Sequence, residues 1–402
     1  MATRKICQEA IIGFLLCWLA MALCNDMDQT EMQTRHEDWM SKYNRVYKTM
    51  EEKAKRFAIF KTNVEKIAAH NKLDRGYLLE ENLSTDLTDD EFNVWGLHET
   101  FLPPSTLVPT PSASLTPPQP RTSPAHAHAP APAPRKPRHP PHQKPSAPPH
   151  KHPAPPPRKS HAPPPHKRSS LSPSPSPSPS SHPSAFDWRR FGAVTSVKNG
   201  SSCAADWAFA IVATIEAVRK VKTEKLKAFS AQQLVDCYNN NEWECGKPPS
   251  FLHLHHVFEN VMKYGVNSQA DYPYNGKNDN CKKISNTPTK IANYSYVPSN
   301  NETALEIAVT RQPLVVKLAV SISDVRFYKS GIYEGPCDGN EKHPGLVVAL
   351  IGYGKEGKKK YWIAKHSWGS KWGEEGYIRI KKNVENESGQ CGVAKLAYYP
   401  IA

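Results

Sequence analysis

The chain has 402 residues, 38% of them hydrophobic, which is enough for two or three domains with buried cores. Its net charge is +14, from 52 Lys and Arg against 38 Asp and Glu. Residues 102–185 hold ten of these cations and no acid. The excess charge therefore belongs mainly to one segment, and it does not by itself indicate a nucleic-acid-binding domain.

Residues 1–24 have the pattern of a secretory signal peptide. Two cations near the start precede an apolar run at residues 10–23, which ends in small residues. The run is short for a membrane anchor, and no later segment is apolar enough to span a bilayer. We predict cleavage after this segment and no membrane contact afterwards. The expected location is outside the cell or in the cell wall, with the vacuole or lysosome as an alternative.

Residues 27–95 favour helices. One helix face is predicted from six residues spaced 4, 4, 3, 4 and 4 apart. These six are Glu52, Arg56, Phe60, Asn63, Ile67 and Asn71. An ordinary amphipathic helix would give such a face, but this set in this order resembles the E-R-F-N-I-N signature of papain-family propeptides.

The segment after this helix resembles the next part of the same propeptides. The family pattern G-x-N-x-F-x-D reads Glu80, Asn82, Ser84 and Asp86 here, so two of four positions depart from it. The resemblance implies an inhibitor-type helical prodomain at residues 25–102. Such a prodomain has two uses in a chain like this one: to assist folding of the body, which we favour, or to inhibit active relatives.

Residues 103–184 are rich in Pro, Ser, His and Lys or Arg, and they contain no Phe, Trp or Tyr. Such a segment cannot bury enough apolar surface to offset the entropy of ordering it, so we predict a disordered linker. Its nine His follow no fixed ligand spacing, and we assign no metal to them. Ser-Pro and Ala-Pro repeats resemble plant hydroxyproline-rich glycoproteins. A secreted chain rarely meets nucleic acid, so the cations predict an acidic polysaccharide as partner instead.

Residues 185–402 are predicted to form a folded α+β body. Helices come first, and short apolar runs between turns, typical of strands, come after Ile291. The predicted helices are 206–220, 228–237 and 251–264, and the predicted strands are 314–320, 346–351, 361–364 and 377–380.

This body resembles papain-like cysteine proteases. Residues 197–209 read V-K-N-G-S-S-C-A-A-D-W-A-F, against the family's active-site pattern V-K-N-Q-G-x-C-G-S-C-W-A-F. Further matches are F-D-W-R at 186–189, S-A-Q-Q-L-V-D-C at 230–237, G-Y-G at 352–354 and S-W-G-S-K-W-G-E-E-G-Y at 367–377. The resemblance implies a helical lobe and a β-barrel-like lobe with a cleft between them.

The resemblance also places the catalytic positions. The family uses a Cys nucleophile, a His that activates it, an Asn that orients the His and a Gln that donates to the oxyanion. In that order the matching residues are Asp206, Leu346, His366 and Gly200. All four have lost the expected group, so we predict that catalysis is lost, since removing a nucleophile alone costs about a millionfold in a serine protease.

No nearby residue is expected to replace these groups. Attack by the Asp206 carboxylate on an amide would form an anhydride, which is higher in free energy than the amide it replaces. His343 stands three residues before Leu346, and an odd shift along a strand turns a side chain to the opposite face. His366 can face Asp206 across the cleft, but such a pair lacks a nucleophile. We expect Asp206 to stabilise a helix start, by about 0.3–1 kcal/mol.

Six Cys remain after the signal segment, and an even number in a secreted chain predicts three disulfides with no free thiol. The resemblance implies the pairs Cys203–Cys245, Cys237–Cys281 and Cys337–Cys391. It also implies that Trp207, Pro248 and Trp368 line the cleft, where Pro248 lacks an N–H that could pair with a substrate. N-glycosylation triplets begin at Asn82, Asn199, Asn293, Asn301 and Asn386.

Three functions remain open from the sequence. The leading one is a secreted, inactive papain-like homologue that binds a peptide or a protease in its cleft. The second is a structural cell-wall glycoprotein that acts through its proline-rich segment, and the third is a cysteine-type endopeptidase with a degenerate site. We expect a monomer without cofactor or metal.

Overall fold

The structure is a computed structural model that describes residues 29–95, 183–200, 203–238, 251–282, 287–337 and 345–402. The predicted signal segment, nearly all of the linker, His343, Cys245 and Pro248 lie outside these residues. Within the described part, no helix combines the length and the apolar content that a bilayer crossing requires.

The first described region consists of three helices and one short strand. Helix α1 covers residues 29–42, α2 is Met50–Asn71, strand β1 is Tyr77–Leu79 and α3 is Asp89–Trp95. Helix α2 begins where predicted because Thr49 caps it and accepts a hydrogen bond from the Glu52 N–H at 3.1 Å. The Glu52 carboxylate accepts in turn from the Lys48 N–H at 3.1 Å.

The second region is a helical layer made of α4 (Asp206–Thr223), α5 (Ala231–Cys237) and α6 (Leu254–Tyr264), with a 3₁₀ turn at Phe251–His253. Helix α4 is buried on most sides, as its apolar sequence predicts. Helix α5 begins later than the predicted residue 228. The reason is that Phe229 forms a β-bridge with Ser268, and Ser230 then caps the helix by accepting from the Gln233 N–H at 2.9 Å.

The third region is a sheet that joins strand β1 to eight further strands of the described residues. These are β2 (Phe186–Asp187), β3 (Asn293–Tyr296), β4 (Leu314–Leu318), β5 (Tyr328–Tyr333), β6 (Leu346–Glu356), β7 (Lys359–Lys365), β8 (Tyr377–Lys381) and β9 (Ala397–Ile401). Their order is β1-β5-β8-β7-β6-β4-β9-β3, with β2 beside β6. All pairings are antiparallel except β5 with β8, and β1 of the first region extends the sheet by pairing with β5.

Two further helices interrupt the strand region, α7 (Glu302–Arg311) and α8 (Ile322–Val325). Helix α7 was not predicted from the sequence. Asn301 caps it by accepting from the Ala304 N–H at 2.8 Å, and Leu305 and Val309 are buried four residues apart on one face. Separate apolar cores lie under the helices and under the sheet. The predicted α+β class, with helices first and strands later, is confirmed.

Candidate functional site

Asp206 is the first residue of α4, and its carboxylate joins this helix to the sheet. Oδ1 accepts a hydrogen bond from the Trp207 N–H at 2.9 Å, and Oδ2 accepts from the Val347 N–H in β6 at 2.8 Å. The first contact agrees with the expected role at a helix start. The second was not expected: the carboxylate binds the backbone of β6 beside Leu346.

Leu346 takes up the position that the resemblance assigns to the catalytic His. It is the first residue of β6, lies opposite Leu318 of β4 and is 1% exposed in the core beneath the sheet. An aliphatic side chain in this core cannot accept or donate a proton. No general base therefore stands at this position.

His366 follows β7 with its side chain fully buried. Its ring meets the edges of Trp368 and Trp372, with centroids 4.5 and 5.3 Å away. Nε2 lies 4.0 Å from Asp206 Oδ2, which is too long for a hydrogen bond. Neither ring nitrogen has a hydrogen-bond partner among the residues that the structure describes. His366 therefore lies near Asp206, as expected, but forms no hydrogen bond with it.

The space between these groups is small. Asp206, Phe209 and His366 help to line a cavity of about 20 Å³, which is about the room that one water molecule needs. Among the described residues, the cavity therefore has room for a water molecule beside Asp206 and His366.

Gly200, at the oxyanion Gln position, is held by backbone contacts. Its N–H donates to the Ser367 carbonyl at 2.7 Å, and its own carbonyl accepts from the Tyr274 hydroxyl at 3.2 Å. A Cβ placed on Gly200 would lie 2.3 Å from Cε2 of Phe209. The Phe209 ring thus fills the space into which a Gln side chain would begin.

A buried polar chain next to this site was missed by the sequence analysis. Lys365, which precedes His366, donates to the Thr195 hydroxyl at 3.1 Å, and that hydroxyl donates to Glu216 Oε2 at 2.7 Å. Glu216 Oε1 accepts from the Phe229 N–H at 2.9 Å. Burial lowers the pKa of Lys365 to about 8, although Glu216 opposes this, and burial raises the pKa of Glu216. One signal was available: Glu216 is the only charged residue of α4 between Asp206 and Arg219.

The N-terminal helical region docks on the sheet through a buried arginine. Arg326, between α8 and β5, has its side chain 1% exposed. It donates to the Ser84 carbonyl at 3.1 Å, to the Leu87 carbonyl at 3.1 Å and to Asn63 Oδ1 at 3.2 Å. Burial lowers the pKa of Arg326 to about 10, and Asp89 at 3.0 Å opposes that shift.

Further contacts surround this arginine. Lys66 and the Tyr77 hydroxyl both bind the Asp324 carboxylate, at 3.2 and 3.1 Å. Glu80, which departs from the propeptide pattern, forms an ion pair with Lys329 of β5. Phe92 meets the edge of Trp368 at 5.2 Å, so the docked region reaches the neighbourhood of His366.

The six predicted residues of the α2 face have separate roles. Arg56 donates to the Asp86 carbonyl at 3.1 Å and to the Glu91 carboxylate at 2.7 Å. Asn63 donates to two carbonyls of the following loop, and Asn71 pairs with the backbone of Leu79. Ile67 joins the core beneath the sheet, Phe60 packs inside the helical region and Glu52 completes the cap of α2.

The remaining predicted site residues are distributed over the body. Disulfides join Cys237 to Cys281 and Cys337 to Cys391, the pairs that the resemblance implies. Cys203 is also disulfide-bonded, while Cys245 lies outside the described residues. Trp207, which was expected to line the cleft, is 4% exposed and packs in the helical core. Trp368 is partly buried between Phe92 and His366.

The glycosylation candidates are not equivalent. Asn82 is partly buried, and its Nδ2 donates to the Arg326 carbonyl at 2.6 Å. A glycan on that nitrogen would displace this contact between the helical region and the sheet. Exposed side chains are found at Asn199, Asn293, Asn301 and Asn386.

Comparison with known proteins places this fold in a family. Residues 182–401 match the model of the papain family cysteine protease, and residues 36–92 match the cathepsin propeptide inhibitor domain (I29). The chain belongs to the papain family of cysteine proteases and carries a propeptide inhibitor domain, which confirms the resemblance.

Individual relatives and solved structures align with at least 92% of the chain. It is 33% identical over 405 residues to the senescence-specific cysteine protease SAG39 of Oryza sativa subsp. japonica, covering 100% of both chains. It is 34% identical to the senescence-specific cysteine protease SAG12 of Arabidopsis thaliana, over 92% of this chain and 90% of that one. Among solved structures, the recombinant stem bromelain precursor aligns with a TM-score of 0.66 at 32% identity, over 92% of this chain and 99% of its own.

Proposed function

We propose that this protein is a secreted, catalytically inactive papain-family homologue that acts by binding, with its prodomain docked on the body. The observation that carries this proposal is the hydrogen bond from the Val347 N–H to the Asp206 carboxylate at 2.8 Å. A carboxylate engaged in this way, at the nucleophile position, is a structural link between α4 and β6. Leu346 beside it supplies no base, and Phe209 fills the place of the oxyanion side chain.

The first experiment tests inactivity. The disulfide-bonded protein, intact and after cutting within residues 103–184 so that the prodomain is free to leave, is assayed with fluorogenic peptides and with iodoacetamide. We expect no turnover and no labelling, because no catalytic group is in place and the six Cys are expected to be paired. Stoichiometric labelling of one Cys in the folded protein, or peptide turnover, would contradict the proposal.

The matched control is Asp206→Cys. It returns a thiol to the nucleophile position and changes nothing at Leu346. We expect this variant to be labelled by iodoacetamide after linker cleavage and still not to cleave peptide, since the activating base is missing. Peptide turnover by Asp206→Cys would mean that another group serves as the base, and it would reject the proposal that the site lacks one.

The prodomain is proposed to assist folding in cis rather than to inhibit other enzymes. Glu80 pairs with Lys329 of this body, and the Ser84 carbonyl accepts from Arg326. The two positions that depart from the propeptide pattern therefore contact this chain's own body, Glu80 through its side chain and Ser84 through its backbone carbonyl. Refolding of the chain without residues 25–102 should give a lower yield of correctly disulfide-bonded body. Equal yields, together with inhibition of a papain-like enzyme by residues 25–102, would favour the trans-inhibitor instead.

A second candidate function rests on residues 103–184, whose ten cations occur without a single acid. Binding of this segment to an acidic cell-wall polysaccharide would make the protein a structural glycoprotein. The full chain is tested on immobilised pectin beside a variant with the ten Lys and Arg replaced by Gln. Binding should weaken as salt rises, since exposed charges are screened over about 8 Å at physiological ionic strength, and should strengthen below about pH 6 as His protonates. Salt-independent binding, or equal binding by the Gln variant, would reject this function.

A further inference from the structure

Three metal-binding side chains lie together on helix α6, away from the catalytic positions. They are His255, His256 and Glu259, and one donor atom from each lies within 4.8 Å of the others. The imidazole rings of His255 and His256 have centroids 3.9 Å apart. Glu259 follows His255 by four residues and His256 by three, so the helix brings all three side chains to one side.

The cluster is already held in position before any ion enters. His256 Nδ1 lies 3.2 Å from Glu259 Oε2. The other carboxylate oxygen, Oε1, accepts a hydrogen bond from the Tyr294 hydroxyl of β3 at 3.2 Å. A hydrogen-bonded carboxylate of this kind is the usual support for a metal ligand, because it fixes the orientation of the coordinating oxygen.

We propose that His255, His256 and Glu259 form a binding site for Zn²⁺. Imidazole nitrogens and a carboxylate suit this ion, and three protein ligands leave its fourth tetrahedral position to water. Zn–N bonds of about 2.0–2.1 Å place tetrahedral donor atoms about 3.4 Å apart. Small side-chain rotations of the two partly exposed His and the exposed Glu would close the present separation to that value.

The charge of Glu259 is essential to this site. Helix α6 begins at Leu254, so both His lie in its first turn, where the helix dipole disfavours a cation. The carboxylate one turn further on offsets that effect and neutralises part of the ion's charge. A pair of His alone at this helix start would hold Zn²⁺ weakly.

No metal site was predicted from the sequence, because the nine His of residues 103–184 follow no fixed ligand spacing. Those His also bind metal in principle, so the test must resolve individual sites. Full-length protein is treated with diethyl pyrocarbonate with and without Zn²⁺, and modification of each His is read by peptide mass spectrometry. We expect Zn²⁺ to reduce modification of His255 and His256 at least tenfold, at low micromolar concentration and near pH 7.5.

Two variants separate the site from general histidine binding. Glu259→Gln keeps an oxygen for the Tyr294 hydroxyl but removes the charge, and it should abolish the protection of both His. His253→Ala removes an exposed His just before α6 that is not part of the cluster, and it should leave the protection unchanged. Protection that persists in Glu259→Gln, or that occurs at linker His alone, would overturn the assignment.

Discussion

The prodomain interface and the site that holds Asp206 and His366 lie against the same sheet, but their buried polar groups differ in how they are hydrogen-bonded. In the interface, one buried side chain, Arg326, donates to three oxygens of the prodomain. In the cleft, the ring nitrogens of His366 have no hydrogen-bond partner among the described residues, and Asp206 binds backbone. Docking of the prodomain thus involves Arg326, which lies outside the positions that match the family's catalytic residues.

The largest effect is expected at the interface. Arg326→Met removes a buried cation whose partners include the Asn63 side chain and an ion pair with Asp89. Asp89 is 45% exposed, so the loss falls mainly on the buried oxygens of Ser84, Leu87 and Asn63. A buried acceptor left without its donor costs about 1–3 kcal/mol, so losing three such contacts should lower the free energy of unfolding of the full chain by about 3 kcal/mol or more. Denaturant unfolding monitored by Trp fluorescence measures it.

The control for this variant is Lys329→Met. Lys329 also crosses the interface, to Glu80, but both side chains are about half exposed, at 50% and 45%. An exposed pair is worth about 0–1 kcal/mol. An equal loss of stability in both variants would mean that the buried Arg326 contributes no more to the interface than the exposed pair of Lys329 and Glu80.

A smaller effect is expected in the cleft, from Asp206→Ala. The change leaves the partly buried Val347 N–H without its acceptor. An unsatisfied buried donor costs about 1–3 kcal/mol, so we expect a loss near the lower end of that range. Asp206→Asn retains an oxygen and should recover part of the loss in the same unfolding assay. An unchanged stability in Asp206→Ala would show that the link between α4 and β6 is not formed in solution.

The buried chain under His366 predicts a pH effect. Because the pKa of Lys365 falls to about 8 in the folded state, the unfolded state binds more protons between pH 8 and about 10. Stability therefore rises with pH in that window. Relative to Lys365→Met, the wild type should gain about 1–2 kcal/mol between pH 8 and 9.5. Parallel pH profiles for the two proteins would mean that Lys365 is hydrated.

The smallest effect is expected just before α4. Ala204 has a φ of 44°, in the left-handed region, at a position where the family's pattern has Gly. A non-glycine residue in this conformation costs about 1–2 kcal/mol of backbone strain, which Gly would relieve. Gly itself loses about 0.5–1 kcal/mol more backbone entropy on folding than Ala does. Ala204→Gly should therefore raise the free energy of unfolding by up to about 1 kcal/mol. Ala205, with a φ of −91° and no exposed surface, is the control, and Ala205→Gly should lower stability.

Much of the fold was predictable from local pattern. The six residues of the α2 face were placed correctly because a helix repeats every 3.6 residues, so spacing alone fixes a common face. The strands at β4, β6, β7 and β8 were found from short apolar runs, although β6 extends further than predicted, to Glu356. Helix α7 was missed because its Asn301 cap and its two buried positions are a weak signal beside the strands around it.

The sequence by itself determined which groups occupy the catalytic positions, since motif matching assigns Asp206, Leu346, His366 and Gly200 without reference to space. Only the tertiary structure decided what those groups do instead. The bond from Val347 to Asp206 joins residues 141 positions apart, and Arg326 reaches Ser84 across 242 positions. Contacts over such separations depend on how the helical layer, the sheet and the prodomain pack, and a local sequence pattern does not predict that packing.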